Sequence, residues 1–317
     1  MRRGGPPMLA VDPAAVPAFS RVERGARGLR FAPVAPPVDA SAQPGPPLRV
    51  QAAAPAGMRQ GSVVADGALV LAAGVGTAFS LRAPRMQVVH DRRPPGLDRV
   101  IGAPGANAGM IHGADGWRAV VLPSLGDIAA DLGEGPVAIR ADGRRIAVAV
   151  DGAIEEHDIG TEGAVARHDG AAGALCYWAS GDLAVAAGSR VGAPGAAAGD
   201  GSPVVELCAA AAAPRVAARH ADGAVSVWEP GAVEPLATWA APVADAGAIS
   251  FSADGALVAV GSPDGADPSA CLCDALTGAQ VRRVDGARLI APAPEAGALL
   301  VAGGWGCAWM KPLEEDS

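Results

Sequence analysis

The chain has 317 residues and a net charge of −8, an acidic balance that argues against a nucleic-acid backbone as the main partner, because such binding needs a basic stripe. Half of its residues are hydrophobic but only 3% are aromatic, and 43 Gly and 28 Pro punctuate the sequence. That mixture implies many short elements joined by turns, and no run of about 18 apolar residues free of charges and prolines is present to cross a membrane as a helix.

The first domain, residues 1–57, is a Pro-rich segment holding Pro33, Pro36, Pro37, Pro44, Pro46, Pro47 and Pro55. Proline lacks an N–H and fixes φ, so this density opposes a regular ladder and favours extended chain. Within it, Leu29–Ala32 and Leu48–Val50 alternate like short strands. Met1, Arg2 and Arg3 are followed by Gly and Pro in place of an apolar stretch, so no signal peptide is read.

Residues 58–317 read as one repeating domain. Its clearest unit has strands at Ala248–Phe251, Ala256–Ser262, Cys271–Asp274 and Gln280–Val284, with turns that include Asp254-Gly255 and Thr277-Gly278. Four strands and three turns in about 40 residues match one propeller blade. Weaker copies give provisional blades 58–97, 98–134, 135–170, 171–212, 213–245 and 246–288, and a last blade 289–317 that lacks a fourth strand. A strand from residues 19–57 is expected to supply it, which removes a free edge. The predicted fold is thus all-β, a propeller of seven four-stranded blades closed by an N-terminal strand.

Turn signals recur at Asp66-Gly67, Asp115-Gly116, Asp142-Gly143, Asp151-Gly152, Asp222-Gly223, Asp254-Gly255 and Asp264-Gly265. They read as type I′ hairpin turns, with positive φ at both central positions. Gly192–Gly201 reads as an Ala/Gly-rich surface loop. Ala209–Ala213 favours helix but is short and ended by Pro214, so it is assigned to a loop or strand edge.

Phe251-Ser252-Ala253-Asp254-Gly255 is similar to the first strand and turn of a WD repeat, and Val258–Ser262 to its second strand. Cys273-Asp274 stands where that family carries Trp-Asp. Trp228-Glu229 keeps the aromatic residue, and His157-Asp158 keeps the acid. The unit 246–288 therefore resembles the WD-repeat propeller family, although the family's Gly-His dipeptide is absent. The resemblance implies a rigid, non-enzymatic ring that serves as a scaffold for protein or peptide partners, as a monomer or a subunit of a larger complex.

No catalytic, cofactor-binding or metal-binding residue is assigned. There is no Gly-x-Ser-x-Gly elbow. The Gly-rich stretches Gly102–Gly105 and Gly303–Gly306 lack the Lys-Ser/Thr of a phosphate loop. Five cysteines form an odd set in a chain too long for a small disulfide scaffold, which points to free thiols and a reducing, cytoplasmic compartment. Cys271 and Cys273 lie two apart on one strand and read as buried thiols on one face. His90, His112, His157, His168 and His220 read as turn or strand-end residues, with His90, His168 and His220 exposed. Trp228 and Trp309 are expected to be buried between blades. Trp117 and Trp305 fall at turns, where Trp makes a natural interface anchor, and Arg92 and Arg93 lie in a local positive stretch suited to an acidic contact. These four are the candidate protein-binding residues. The alternative reading is a lactonase- or esterase-like propeller hydrolase with a central metal held by carboxylates or His from several blades.

Overall fold

The computed structural model describes residues 20–25, 28–33, 48–54, 58–64 and 67–312, the last range without 75, 84, 162, 263–267, 294–297 and 304–305. Strands β1 (Ser20–Gly25) and β2 (Gly28–Pro33) pair as a hairpin, and β3 (Leu48–Ala54) follows. The first blade is β4 (Met58–Val64), β5 (Leu69–Gly74), β6 (Thr77–Arg82) and β7 (Gln87–Arg92). The second is β8 (Arg99–Gly102), β9 (Ala108–Gly113), β10 (Gly116–Val121) and β11 (Gly126–Ala129), and the third is β12 (Val137–Ile139), β13 (Arg145–Val150), β14 (Ala153–Asp158) and β15 (Ala166–Asp169).

A three-stranded sheet comes next: β16 (Ala174–Tyr177), β17 (Leu183–Ala187) and β18 (Arg190–Gly192). It is followed by a blade of β19 (Val204–Ala209), β20 (Val216–His220), β21 (Ala224–Trp228) and β22 (Ala237–Ala240). Another blade is β23 (Ala248–Phe251), β24 (Leu257–Gly261), β25 (Ser269–Asp274) and β26 (Gln280–Asp285). The last is β27 (Ala287–Pro292), β28 (Leu299–Gly303) and β29 (Gly306–Pro312), and its fourth strand is β3, paired antiparallel with β29.

The first strands β4, β8, β12, β16, β19, β23 and β27 touch in turn, and β27 touches β4, so the sheets close into a ring with these strands as its inner wall. The protein is an all-β propeller. The expected seven four-stranded blades are corrected to six, because the sheet of residues 174–192 stops at three strands. Residues 204–209, placed at the end of that sheet by the sequence reading, open the following blade instead. The segment after β18 holds Pro194, Gly195, Gly199 and Gly201, residues that remove a ladder donor or bring no side chain to pack. No helix among the described residues is long and apolar enough to cross a membrane.

Stacking of the sheets explains the strand sequences. Second strands are covered on both faces and read as unbroken apolar runs: β5 is LVLAAG and β28 is LLVAG, each buried along its length. Fourth strands lie at the rim and alternate, as in β15 (ARHD) and β22 (ATWA). Small residues suit the narrow space between sheets. One cluster joins Val225 and Val227 of one blade to Val258, Val260, Cys271 and Cys273 of the next. Both cysteines are fully buried on one face, and burial pushes their thiols up to about 11 and about 12.

The turns depart from the type I′ expectation. Of the described Asp-Gly pairs, Asp151 (φ 50°) and Gly152 (φ 76°) alone have positive φ at both residues. At Asp142, Asp222 and Asp254 the carboxylate accepts the N–H two residues on at 3.0 Å, from Arg144, Ala224 and Ala256. Aspartate there closes the turn with its side chain, and the positive φ falls on the glycine alone. The pair Asp264-Gly265 and the residue Asp66 lie outside the described residues.

Candidate functional site

At two junctions of the rim a residue reaches from the last strand of one blade to the outer hairpin of the next. At the first junction Arg92, on β7, donates to the Leu125 carbonyl at 3.0 Å and pairs with Asp127 through both guanidinium nitrogens. Its hydrogen bond holds the Asp127 carboxyl below the usual carboxylate range. Farther round, Trp239 on β22 donates its indole N–H to the Ala275 carbonyl at 3.1 Å and lies on Gly278 in the β25–β26 turn. Gly278 has φ +69°, and a Cβ there would sit 2.6 Å from Trp239 Cγ, so glycine serves both the turn and the close approach.

The three-stranded sheet has no last strand to send across. The face of the following blade therefore stays open, and a cleft of about 320 Å³ lies along it. Alternate residues Ala224, Ser226 and Trp228 of β21, with Thr238 of β22, form its floor. The turn joining β17 to β18, at Ser189 and Arg190, walls one side. The β21–β22 loop walls the other, and it carries Val233 at 71% and Leu236 at 47% exposure. Aliphatic side chains left so open beside a cleft are the kind of surface that binding covers.

The floor is held rigid by a chain of hydrogen bonds. His220 Nδ1 lies 2.8 Å from the Ser202 carbonyl, which only accepts, so Nδ1 donates there. In the neutral imidazole Nε2 then accepts the Ser226 hydroxyl at 2.7 Å, and Ser226 Oγ accepts the Trp228 indole N–H at 2.7 Å. His220, at the end of β20 as a strand-end residue, is thus 7% exposed, which corrects the expected exposure: its ring ties three segments together. Asp222, at the mouth of the cleft, accepts the Ala224 N–H, which holds its carboxyl below the ordinary value. Among the described residues neither Asp222 nor Glu234 takes part in a salt bridge, and both line the cleft together with one arginine, Arg190.

Of the sequence-predicted binding residues, Trp117, Arg92 and Arg93 lie away from this cleft. Trp117 is 2% exposed and packs between the second and third blades, against Met110, Ile139 and Ile146. Its position as the second residue of β10 turns it inward, and Arg99 caps its ring from 5.4 Å. Arg92 is engaged by Asp127 and Leu125, which leaves Arg93 as the exposed member of the pair. Trp305 lies outside the described residues. Trp228 and Trp309 are both 3% exposed, as expected of residues between blades. His112, read as a turn or strand-end residue, lies near the end of β9 and is buried, with Nδ1 2.5 Å from Asp98 and Nε2 2.8 Å from Glu134.

At the inner wall, Glu206 and Arg219 form an ion pair at 2.9 Å. Desolvation raises the Glu206 carboxyl above its ordinary value, and Arg219 opposes the rise. Among the described residues no three His, Cys, Asp or Glu side chains stand together as a metal-ligand group. The cleft itself went unread in the sequence. Its signal was the Gly/Pro-rich stretch 192–201 at the place where a fourth strand was due.

Fold and site together define a β-propeller with one inter-blade face left open. No family model matches the chain, and no curated protein matches it at a significant level.

Proposed function

We propose that this protein is a non-enzymatic scaffold, WD-repeat-like in its use of a propeller as a platform, and that it captures a protein or peptide partner in a reducing, cytoplasmic setting. The observation that carries the reading is the open cleft beside β18, bordered by the exposed side chain of Val233, with Leu236 also exposed on the same loop. A cleft at the lower end of ligand-pocket volumes, roughly 300 Å³, and open along its length fits side chains of an extended partner better than it encloses a small molecule. The rigid floor of Trp228 and Ser226 fits the same role, since a preorganised surface loses little freedom on binding.

The test sets the intact chain against a variant with Val233→Asp and Leu236→Asp. Each is used as bait in an extract of the source cells, and both are assayed for hydrolysis of small esters and lactones with added divalent metal. Partner capture by the intact chain, lost in the variant, with no metal-dependent turnover, is the expected result. Metal-dependent turnover would overturn the scaffold reading in favour of a propeller hydrolase.

A further inference from the structure

We infer that the partner element taken by the cleft is an extended segment bearing Lys or Arg, which adds to β18 as the fourth strand of the three-stranded sheet. The inference rests on the scaffold reading and names what that scaffold holds.

The backbone of β18 is arranged for it. Ala187 and Arg190 pair across the two-residue turn between β17 and β18, and Val185 pairs with Gly192. In an antiparallel hairpin closed in this way those are the hydrogen-bonded pairs, so the N–H and C=O of the intervening Val191 point away from β17. Among the described residues no other backbone group bonds to them. The chain that leaves β18 returns to the tip of the hairpin, where Gly199 bonds to the Ala187 carbonyl at 3.1 Å and Gly201 and Ser202 reach the cleft, and none of these contacts falls on the Val191 backbone. The side chain of Val191 points into the cluster it shares with Trp228 and Val204. Arg190 of β18 and the floor of β21 therefore border the same cleft, and the outward-pointing groups of Val191 are one residue farther along the strand.

The rest of the ring shows what belongs there. At two other junctions a last strand sends a donor to the outer hairpin of the next blade, Arg92 to the Leu125 carbonyl and Asp127, and Trp239 to the Ala275 carbonyl. In the open case the outer hairpin carries Glu234, and the opposite end of the floor carries Asp222. One arginine, Arg190, offsets one of the two. The excess is negative in a chain whose net charge is −8, so a cationic strand complements the cleft locally and is steered to it from a distance. Its alternate side chains would lie on the Trp228 face, and its main chain would pair with Val191 in the manner of strand addition to a sheet edge.

The experiment uses the full chain and fluorescein-labelled seven-residue peptides of alternating Val and Arg. A matched peptide has Glu for Arg, and a third has N-methylated backbone nitrogens at alternate residues. Anisotropy titrations should show saturable binding of the Arg peptide, with the Glu and N-methylated peptides weaker by about tenfold or more. Glu234→Arg, at an exposed loop position, should reverse the preference between Arg and Glu peptides. Amide exchange at Arg190–Gly192 should slow on addition of the Arg peptide.

Equal binding of the Arg and Glu peptides would overturn the cationic assignment. Binding that is indifferent to N-methylation and leaves exchange at Val191 unchanged would overturn strand addition. No binding by any of the three peptides would overturn the inference, and the capture experiment with the Val233 and Leu236 variant then judges the scaffold reading separately. Concentration-dependent dimerisation abolished by Glu234→Arg would give the cleft to a second copy of the chain and overturn the partner assignment.

Discussion

The blade of β19–β22 meets its two neighbours in opposite ways. Towards β23–β26 its last strand delivers Trp239 onto Gly278 and the Ala275 carbonyl, and the junction is closed. Towards β16–β18 its own outer hairpin receives no such donor among the described residues, and Val233 stands exposed over a cleft. A rim junction is therefore closed by the last strand of the preceding sheet, and where that strand is missing the exposed face becomes a surface for something else. The inner parts of both junctions are equally well filled. Val191, Val204 and Trp228 share a buried cluster on one side, as Val225, Val258 and Cys273 do on the other.

Four substitutions break or sharpen this contrast. The largest effect is expected at the closed junction, where Gly278→Val forces a branched residue into positive φ and drives its Cβ into Trp239. The combined strain and overpacking should cost about 3 kcal/mol, read as a shift of the urea midpoint. Ser226→Ala beneath the open cleft should cost about 2 kcal/mol, because it leaves His220 Nε2 and the Trp228 indole N–H buried without their partner. A cost near zero there would mean that water from the cleft replaces the hydroxyl, making the floor wetter than its burial indicates.

At the first closed junction Arg92→Met should cost less, below about 1 kcal/mol, since the ion pair with Asp127 is partly exposed. Its signature is pH dependence. The Asp127 carboxyl is held low in the folded chain by Arg92, so the pair contributes stability above the carboxyl's unfolded value and loses it as pH falls through the folded value. The difference in Tm between Arg92→Met and the parent should be greatest near neutral pH and fade below roughly pH 4. The smallest effect belongs to Val233→Asp, which removes an exposed side chain that supports nothing in the free protein. Its stability should stay within about 0.5 kcal/mol of the parent. A large loss would show that the β21–β22 loop is part of the core, and the open junction would then be closed by other means.

Much of the architecture was legible in the residues. The unit 248–285 was read from alternating strands and its two turns, because each rests on contacts local in sequence: Asp254 on Ala256, and Asp274 on Leu276 and Thr277. The burial of Trp228, Trp309, Cys271 and Cys273 followed from strand alternation, which fixes the face of a side chain once the strand is placed. Trp117 defeated the same logic because one residue separates a turn position from an inward strand position, and the start of β10 falls at Gly116. His220 went wrong for a different reason: its partners Ser202 and Ser226 come from two other segments.

The sequence by itself determined that this chain is a β-propeller, because strand period, turn chemistry and repeat length are properties of adjacent residues. It also placed a glycine- and proline-rich interruption between Gly192 and Gly201. Only the tertiary structure decided that this interruption costs one sheet its last strand, that residues 204–209 open the next blade, and that β21 is left facing an open cleft. The physical reason is that a strand belongs to whichever edge it can pair with, and that choice depends on neighbours far apart along the chain.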